Sequence, residues 1–307
     1  MAEKGLACSA LCIGAAHWDL IGRSAATVMP GDDLTGTVTR RAGGVAVNVA
    51  RALNRAGISP LLLSAVGDDG AGAELGEALG ADGIGVTFLL RLPGHATGSY
   101  VAVEDPSGLI AAIADTTTLE AAGARILTPL RDGSLASAGR PFAGVAVIDG
   151  NLSPELLARV VAEPGLRGAD LRVASASPAK AARLRPLLGR THACLCLNRA
   201  EAEAICGETL PSAAAAVQAL LSRGVRRAIV TDGPRPAAEA SSGEAPVTAT
   251  PPNVSVIAHV TGAGDTALAA HIAAEMAGAS RQAALTRAVA AASAHISAGS
   301  LTFAPTA

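Results

Sequence analysis

Val260-Thr261-Gly262-Ala263-Gly264-Asp265-Thr266-Ala267 lies near the end of the chain and decides how the rest is read. Two glycines flank a small residue, an aspartate follows at once, and an alanine-rich run continues to Gly278. The pattern predicts a glycine-rich turn that opens a helix. Such a turn leaves several backbone N–H groups without partners, and the helix dipole adds partial positive charge at the same point. Gly262, Ala263 and Gly264 therefore form a candidate anion hole, with the Asp265 carboxylate at its rim. The chemistry expected there is transfer of a phosphoryl group to a hydroxyl that Asp265 deprotonates.

The bulk of the chain narrows the setting. Its 307 residues are 50% hydrophobic, with a mean hydropathy of +0.39, ample for one large core. A net charge of −2 provides no basic field to attract nucleic acid, and an aromatic content of 2% provides no base-stacking surface. The apolar run 8–16 is too short to cross a membrane and has no basic segment before it, so neither a membrane span nor a signal peptide is expected. Five cysteines (Cys8, Cys12, Cys194, Cys196 and Cys206) form no disulfide framework and suit reduced thiols in a cytoplasmic protein. Cys194-Leu-Cys196 puts both side chains on one face of a strand. They read as buried core thiols, because no second pair has zinc-site spacing.

Hydrophobic patterning supplies the architecture. Strands are predicted at 6–13, 61–66, 145–148, 193–197 and 227–231, and helices at 45–56, 71–79, 154–161, 201–206, 213–222, 267–277 and 281–296. Alternating strands and helices predict a parallel sheet covered on both faces, an α/β fold. The segment 97–114 differs. Two apolar runs flank Asp105-Pro106-Ser107-Gly108, a hairpin signal that, with 35–39, predicts a small separate sheet. Residues 234–252, rich in Pro, Ser and Ala, read as loop.

Further candidates follow the strands. Gly43-Gly44-Val45-Ala46-Val47-Asn48 enters a helix, where the glycines let backbone approach a ligand and Asn48 both donates and accepts; a plain tight turn explains the glycines equally well. Asp19 follows the first strand, at the edge where open α/β sheets bind ligands, and is suited to accept sugar hydroxyls; a helix cap or a solvated loop is the simpler explanation. Asn198-Arg199-Ala200-Glu201 opens a helix, either as a cap with an acidic first turn or as a group in which Glu201 holds Mg²⁺ through water and Asn198 meets phosphate oxygens. Thr231-Asp232-Gly233 is a turn that suits a nucleotide, and His259 precedes the anion hole.

The ordered set, from 43–48 to 261–266, resembles the ribokinase-like, or PfkB, family of carbohydrate and nucleoside kinases over nearly the whole chain. Within that family the segments 63–70, 93–100, 112–115, 149–153 and 198–203 are similar to those of pseudouridine kinases. The resemblance implies a ribokinase-like three-layer αβα sandwich as a single domain over 1–307, with a mostly parallel sheet and a small β-sheet lid from about 17–41 and 95–115. It implies transfer of the ATP γ-phosphoryl group to the 5′-hydroxyl of a nucleoside, pseudouridine above all, in a cytoplasmic enzyme. Carried over, Asp265 is the base, and His17, Asp19, Gly43, Gly44, Asn48, Asp115 and Asn151 surround the substrate. Asn198, Thr231, Gly233 and Thr261 meet ATP, Glu201 organises Mg²⁺, and carbonyls near His259 and Thr261 bind K⁺. Open lid edges predict pairing with a second copy, a homodimer.

Four features depart from that pattern. His17 stands where Asn is usual, Val47 where Arg is usual, and Ala174-Ser175 where an Asp-Pro pair is common. His17 and Val47 are expected near the substrate. Pro236 closes Gly233-Pro-Arg-Pro where a second glycine is usual, with no N–H and no access to positive φ. These departures keep two alternatives open: a kinase of another nucleoside or furanose sugar, and a nucleoside- or sugar-binding protein without kinase activity. A NAD-binding Rossmann enzyme fits poorly, since no Gly-x-Gly-x-x-Gly follows the first strand.

Overall fold

The structure is a computed structural model that describes residues 9–189, 192–256 and 261–297. In chain order the strands are β1 (Ala10–Ile13), β2 (His17–Ser24), β3 (Gly36–Gly43), β4 (Pro60–Gly67), β5 (Leu89–Leu92), β6 (Ser99–Asp105), β7 (Gly108–Ala114), β8 (Val145–Asp149), β9 (Asp170–Ala174), β10 (Cys194–Asn198), β11 (Arg227–Asp232), β12 (Arg235–Ser241) and β13 (Val247–Ala249). The helices are α1 (Val45–Arg55), α2 (Gly70–Ala81), α3 (Thr117–Ala122), α4 (Pro154–Val161), α5 (Pro178–Ala181), α6 (Arg199–Cys206), α7 (Ala213–Ser222), α8 (Ala263–Met276) and α9 (Arg281–Ser297).

Nine strands form the central sheet in the order β13-β12-β11-β10-β9-β8-β1-β4-β5, parallel except for β12 and β13. Alternation along the strands separates two cores. Leu11 and Ile13 of β1 and Leu61 and Leu63 of β4 face one side, with Leu157 of α4, Ala202 of α6 and Val217 of α7. Ala10, Cys12, Leu62 and Val66 face the other, with Val47 and Leu53 of α1, Leu75 of α2 and Leu268 and Ile272 of α8. α9 covers the β10–β13 end through Leu285 and Val289. The result is three layers, α, β and α.

Chain order reverses at β1. From there the chain passes to β4 and β5 on one side, then returns to β8 and moves outward through β9, β10 and β11 on the other. The C-terminal ends of β1 and β8 therefore flank a topological switch point, where open α/β sheets keep their ligand crevice. Above it stands a second sheet, β3-β2-β6-β7. β2 follows β1 after only Gly14-Ala15-Ala16, and β3 returns directly into α1.

Three readings of the sequence need correction. Asp19 lies inside β2, paired with Arg41 of β3 and Tyr100 of β6, not in a loop or cap. Residues 234–252 contain β12 and β13, which extend the sheet antiparallel from β11 and bury Ala237, Ala238 and Ala240. Alanine and proline are poor strand formers, yet edge pairing and burial of small side chains outweigh that preference. Pro236 is the second residue of β12, before pairing with β13 begins at Ala237. A proline is tolerated at such a strand start. The hairpin before it takes its positive φ at Gly233, and no described non-glycine residue has positive φ.

Candidate active site

Two helices start at this crevice on glycine and are capped by no side chain. α8 begins after Gly262, whose φ of 86° is left-handed, and α1 begins after Gly44, with φ 107°. By contrast α2, α4, α6 and α7 each use an Asp, Ser or Asn side chain as cap. The first amides of α1 and α8 therefore depend on other acceptors, such as water or a ligand. Gly44 is also required sterically, because a Cβ there would overlap the Ala15 carbonyl. Gly43 is pinned in the same way by the Asp19 carboxylate packed against it.

Asp265 sits in the first turn of α8 with the Asn48 amide of α1 beside it. Its carboxyl is pushed up to about 7, by burial first and by the negative charge of Asp149 next; Asn48 opposes the shift, and Glu201 adds to it. Asp149 ends β8 and is wholly buried. It accepts hydrogen bonds from Ala15 N (2.8 Å), Asn151 N (2.7 Å) and Asn151 Nδ2 (2.9 Å). Burial nonetheless raises its carboxyl above the ordinary range. Gly14 leaves the space Asp149 occupies, since a Cβ at Gly14 would overlap it.

The sugar-side candidates converge next to these groups. Asp19 is buried, 3.3 Å from Arg41 Nε and 3.2 Å from His17 Nδ1. The His17 contact is too poorly aligned to make a hydrogen bond. His17, Asp115, Thr116, Thr118 and Gly98 line a small cavity that reaches Ala15 and Ala16. Thr117 holds Asp115 through Oγ1 (2.6 Å) and N (3.0 Å), keeping its carboxyl below the usual range.

The cap reading of Asn198 and Glu201 is fully realised. Asn198 Oδ1 accepts from Glu201 N (2.9 Å), and Glu201 Oε2 accepts from Asn198 N (2.8 Å). The box sits at the C-terminal end of β10, where α6 begins. Glu201 is buried and its carboxyl raised, chiefly by that burial. Thr231 is the strand partner of Asn198, and Gly233 forms the turn beyond it with φ 58°. Thr261 O accepts from His295 Nε2 at 2.9 Å. His259 lies outside the described residues.

Two candidates stand elsewhere than expected. Val47 is fully buried in the core between α1 and the sheet, so it does not face the crevice. Asn151 is near the crevice, but its amide is committed: Nδ2 donates to Asp149, and Oδ1 accepts from Lys180 Nζ at 2.8 Å. Asp149 and Lys180 were both missed in the sequence. A carboxylate after the apolar run 145–148 carries the same signal that singled out Asp19. Lys180 follows a Ser- and Pro-containing stretch with no pattern to mark it.

Comparison with known proteins fits this geometry. The pfkB family carbohydrate kinase profile matches residues 8–307. The chain belongs to the pfkB family. It is 32% identical over 199 residues to the pseudouridine kinase of Escherichia coli K12, covering 64% of this chain and 61% of that protein. An uncharacterised sugar kinase of the same organism is 30% identical over 222 residues, covering 71% and 59%. The matches thus span about three fifths of each curated relative. Among solved structures, a carbohydrate kinase from Agrobacterium tumefaciens aligns with a TM-score of 0.73 at 28% identity, covering 92% of this chain and 89% of the other. Arabidopsis thaliana ribokinase, complexed with ribose and ATP, aligns with a TM-score of 0.78 at 20% identity over 95% and 94%. The pfkB-family fold here is the ribokinase-like sandwich with its smaller separate sheet.

Burial makes Asp265 a pH-dependent cost to folding. Its folded pKa lies above its unfolded value, so its contribution is intact below about pH 4 and is lost as pH rises to about 7. Asp265→Asn should therefore be more stable than wild type at pH 8, by on the order of 2–4 kcal/mol. The advantage should shrink steadily towards pH 4, as read from urea unfolding at both pH values.

Proposed function

We propose that the chain is a Mg²⁺/ATP-dependent phosphotransferase that phosphorylates the 5′-hydroxyl of a nucleoside, with pseudouridine as the leading substrate. The observation that carries this reading is the meeting of two uncapped helix N-termini around Asp265, flanked by buried carboxylates. Family membership and 32% identity to a pseudouridine kinase support it.

In this reading Asp265 accepts the proton of the attacking hydroxyl. Its raised pKa suits a base working near neutrality. The amides of Gly262, Ala263 and Gly264 receive the charge that develops on the transferring group. Asp19, Asn48 and the close backbone at Gly43 and Gly44 orient the sugar, while His17 and Asp115 bound the cavity beyond it. Asn151 acts indirectly, by holding Asp149 and Lys180. Asn198 Nδ2, Thr231, Gly233 and Thr261 face the nucleotide. Mg²⁺, when bound, would neutralise phosphate charge, and Glu201 would hold it through a coordinated water. K⁺ would be held by carbonyls at Thr261 and His259. The smaller sheet acts as a lid that excludes water.

A second reading, phosphorylation of another nucleoside or a furanose sugar, draws on His17, which replaces the usual Asn at the cavity. Loss of kinase activity is disfavoured, because Asp265 and Glu201 are both present and Pro236 is accommodated within β12, with the positive φ of the turn at Gly233.

The lid also bears on assembly. Cross-strand rows place Val38, Gly22, Val103 and Ala111 side by side, and next to them Arg40, Leu20, Val101 and Ile113. Val38 and Ile113 are 76% and 75% exposed. An apolar sheet face of this kind is a signature of interaction surfaces, and we assign it to a second copy of the chain.

A coupled ADP-release assay over a nucleoside and sugar panel tests the substrate. Turnover should be greatest with pseudouridine, and kcat/KM should rise about tenfold per pH unit up to about pH 7, then level off. Turnover with ribose or adenosine but none with pseudouridine refutes the substrate assignment. Light scattering after size exclusion should show a dimer that Ile113→Lys converts to monomer; a monomeric wild type removes the dimer.

A further inference from the structure

β10 carries two thiols on one face. Cys194 Sγ and Cys196 Sγ lie 4.0 Å apart, Cys194 buried and Cys196 half-buried. Strand register places Cys194 directly between Arg172 of β9 and Arg227 of β11. Arg172 is 2% exposed, and its Nη1 has no hydrogen-bond partner. Its other nitrogens, with Arg227, hold Asp170, Glu239 and Glu275. Glu239, His271 and Glu275 place ligand atoms within 4.8 Å of one another. Both carboxylates are already bound by arginine, which leaves no open coordination sphere for a metal.

We infer that Cys194 and Cys196 form a reversible redox-modification site, in which hydrogen peroxide converts the dithiol to an intrastrand disulfide. Residues two apart on a strand are separated by about 6.6 Å at Cα, inside the upper limit of about 6.8 Å for a disulfide. The sulfurs must close from 4.0 Å to about 2.05 Å. An extended strand resists that closure, and a strained bridge is readily reduced again.

The roles of the two thiols differ. Cys196 is the one with access to solvent, so the peroxide oxidises it: the thiol becomes a sulfenic acid and one water leaves. Cys194 then attacks the Cys196 sulfur, the S–O bond breaks, and the hydroxide takes up a proton and leaves as a second water. Two electrons pass from the sulfurs to one peroxide. Burial opposes the thiolate of Cys194, but the hydrogen bond from Cys196 and, after it, the flanking Arg172 and Arg227 guanidiniums outweigh burial and lower its thiol, which favours Cys194 as the attacking group. The bridge forms two residues before Asn198, so its closure pulls on the cap of α6. That consequence rests on the nucleotide reading given above.

Reduced protein is treated with a small excess of hydrogen peroxide, blocked with N-ethylmaleimide, digested and analysed by mass. The peptide holding both cysteines should be unblocked and lighter by two hydrogens, and dithiothreitol should restore it. It should form faster than Cys206, a half-buried thiol on α6, is lost. In Cys194→Ser, dimedone should trap Cys196 as the sulfenic acid. Blocking of both thiols after Cys206 has been oxidised overturns the proposal, as does a bridge from either one to another cysteine. Calorimetry on reduced and oxidised protein tests the coupling separately: ATP affinity should fall several-fold on oxidation. Unchanged affinity with the bridge formed refutes the coupling to Asn198, not the bridge.

Discussion

A carboxylate with no access to solvent, Asp149, fixes the geometry on which the crevice depends. It closes the switch point by tying the end of β8 to the turn leaving β1 through Ala15 N, and it organises Asn151 through two further bonds. Buried charge is expensive unless hydrogen-bonded, and three donors offset that cost. They do not remove its field. That field reaches Asp265 on a helix from the opposite layer and, added to burial, holds its carboxyl near neutrality. One interaction thus links strand ends, the root of the smaller sheet, and the proton affinity of the proposed base.

The rest of the crevice follows from where the helices begin. α6 is capped by its own Asn198 and Glu201, whereas α1 and α8 begin on glycines and leave their first amides to whatever enters. Close approach explains the glycines better than flexibility does, since at Gly14, Gly43 and Gly44 a methyl group would occupy space held by Asp149, Asp19 and Ala15. The far half of α8 is anchored in a different way. His271 and Glu275 join Glu239 and two arginines in a buried ionic cluster beneath β10–β12. The helix that presents Asp265 is thereby clamped at its other end.

Much of this was legible in the sequence because its signals are local. Apolar runs of four to six residues between helical patterns gave β4, β8, β10 and β11, and the Asp105–Gly108 turn gave β6 and β7. Elements defined by tertiary pairing were not legible. β9 carries Arg172 in mid-strand, acceptable only because Asp170 and Glu275 neutralise it. β12 and β13 are built from small residues that become strand-like only against the edge of β11. β2 has no clear strand pattern, because Asp19 and Arg23 interrupt its apolar residues; only the family resemblance placed 17–41 in the smaller sheet, where β2 pairs with β3 and β6. At the site, Asp265, Asn48 and Asp19 were readable from their place after glycines or strands. Lys180 was not, because nothing around it in the chain indicates which amide it meets. Val47 was misplaced because neighbouring helical residues point to different faces, and only Asn48 turns to the crevice.

Single-turnover and steady-state kinetics of Asp265→Asn test whether Asp265 is the base of a phosphoryl transfer. With the preferred nucleoside, kcat should fall by about 10²–10⁴-fold while substrate and ATP dissociation constants stay within a few-fold of wild type. A variant that turns over at near wild-type rate removes Asp265 as the base.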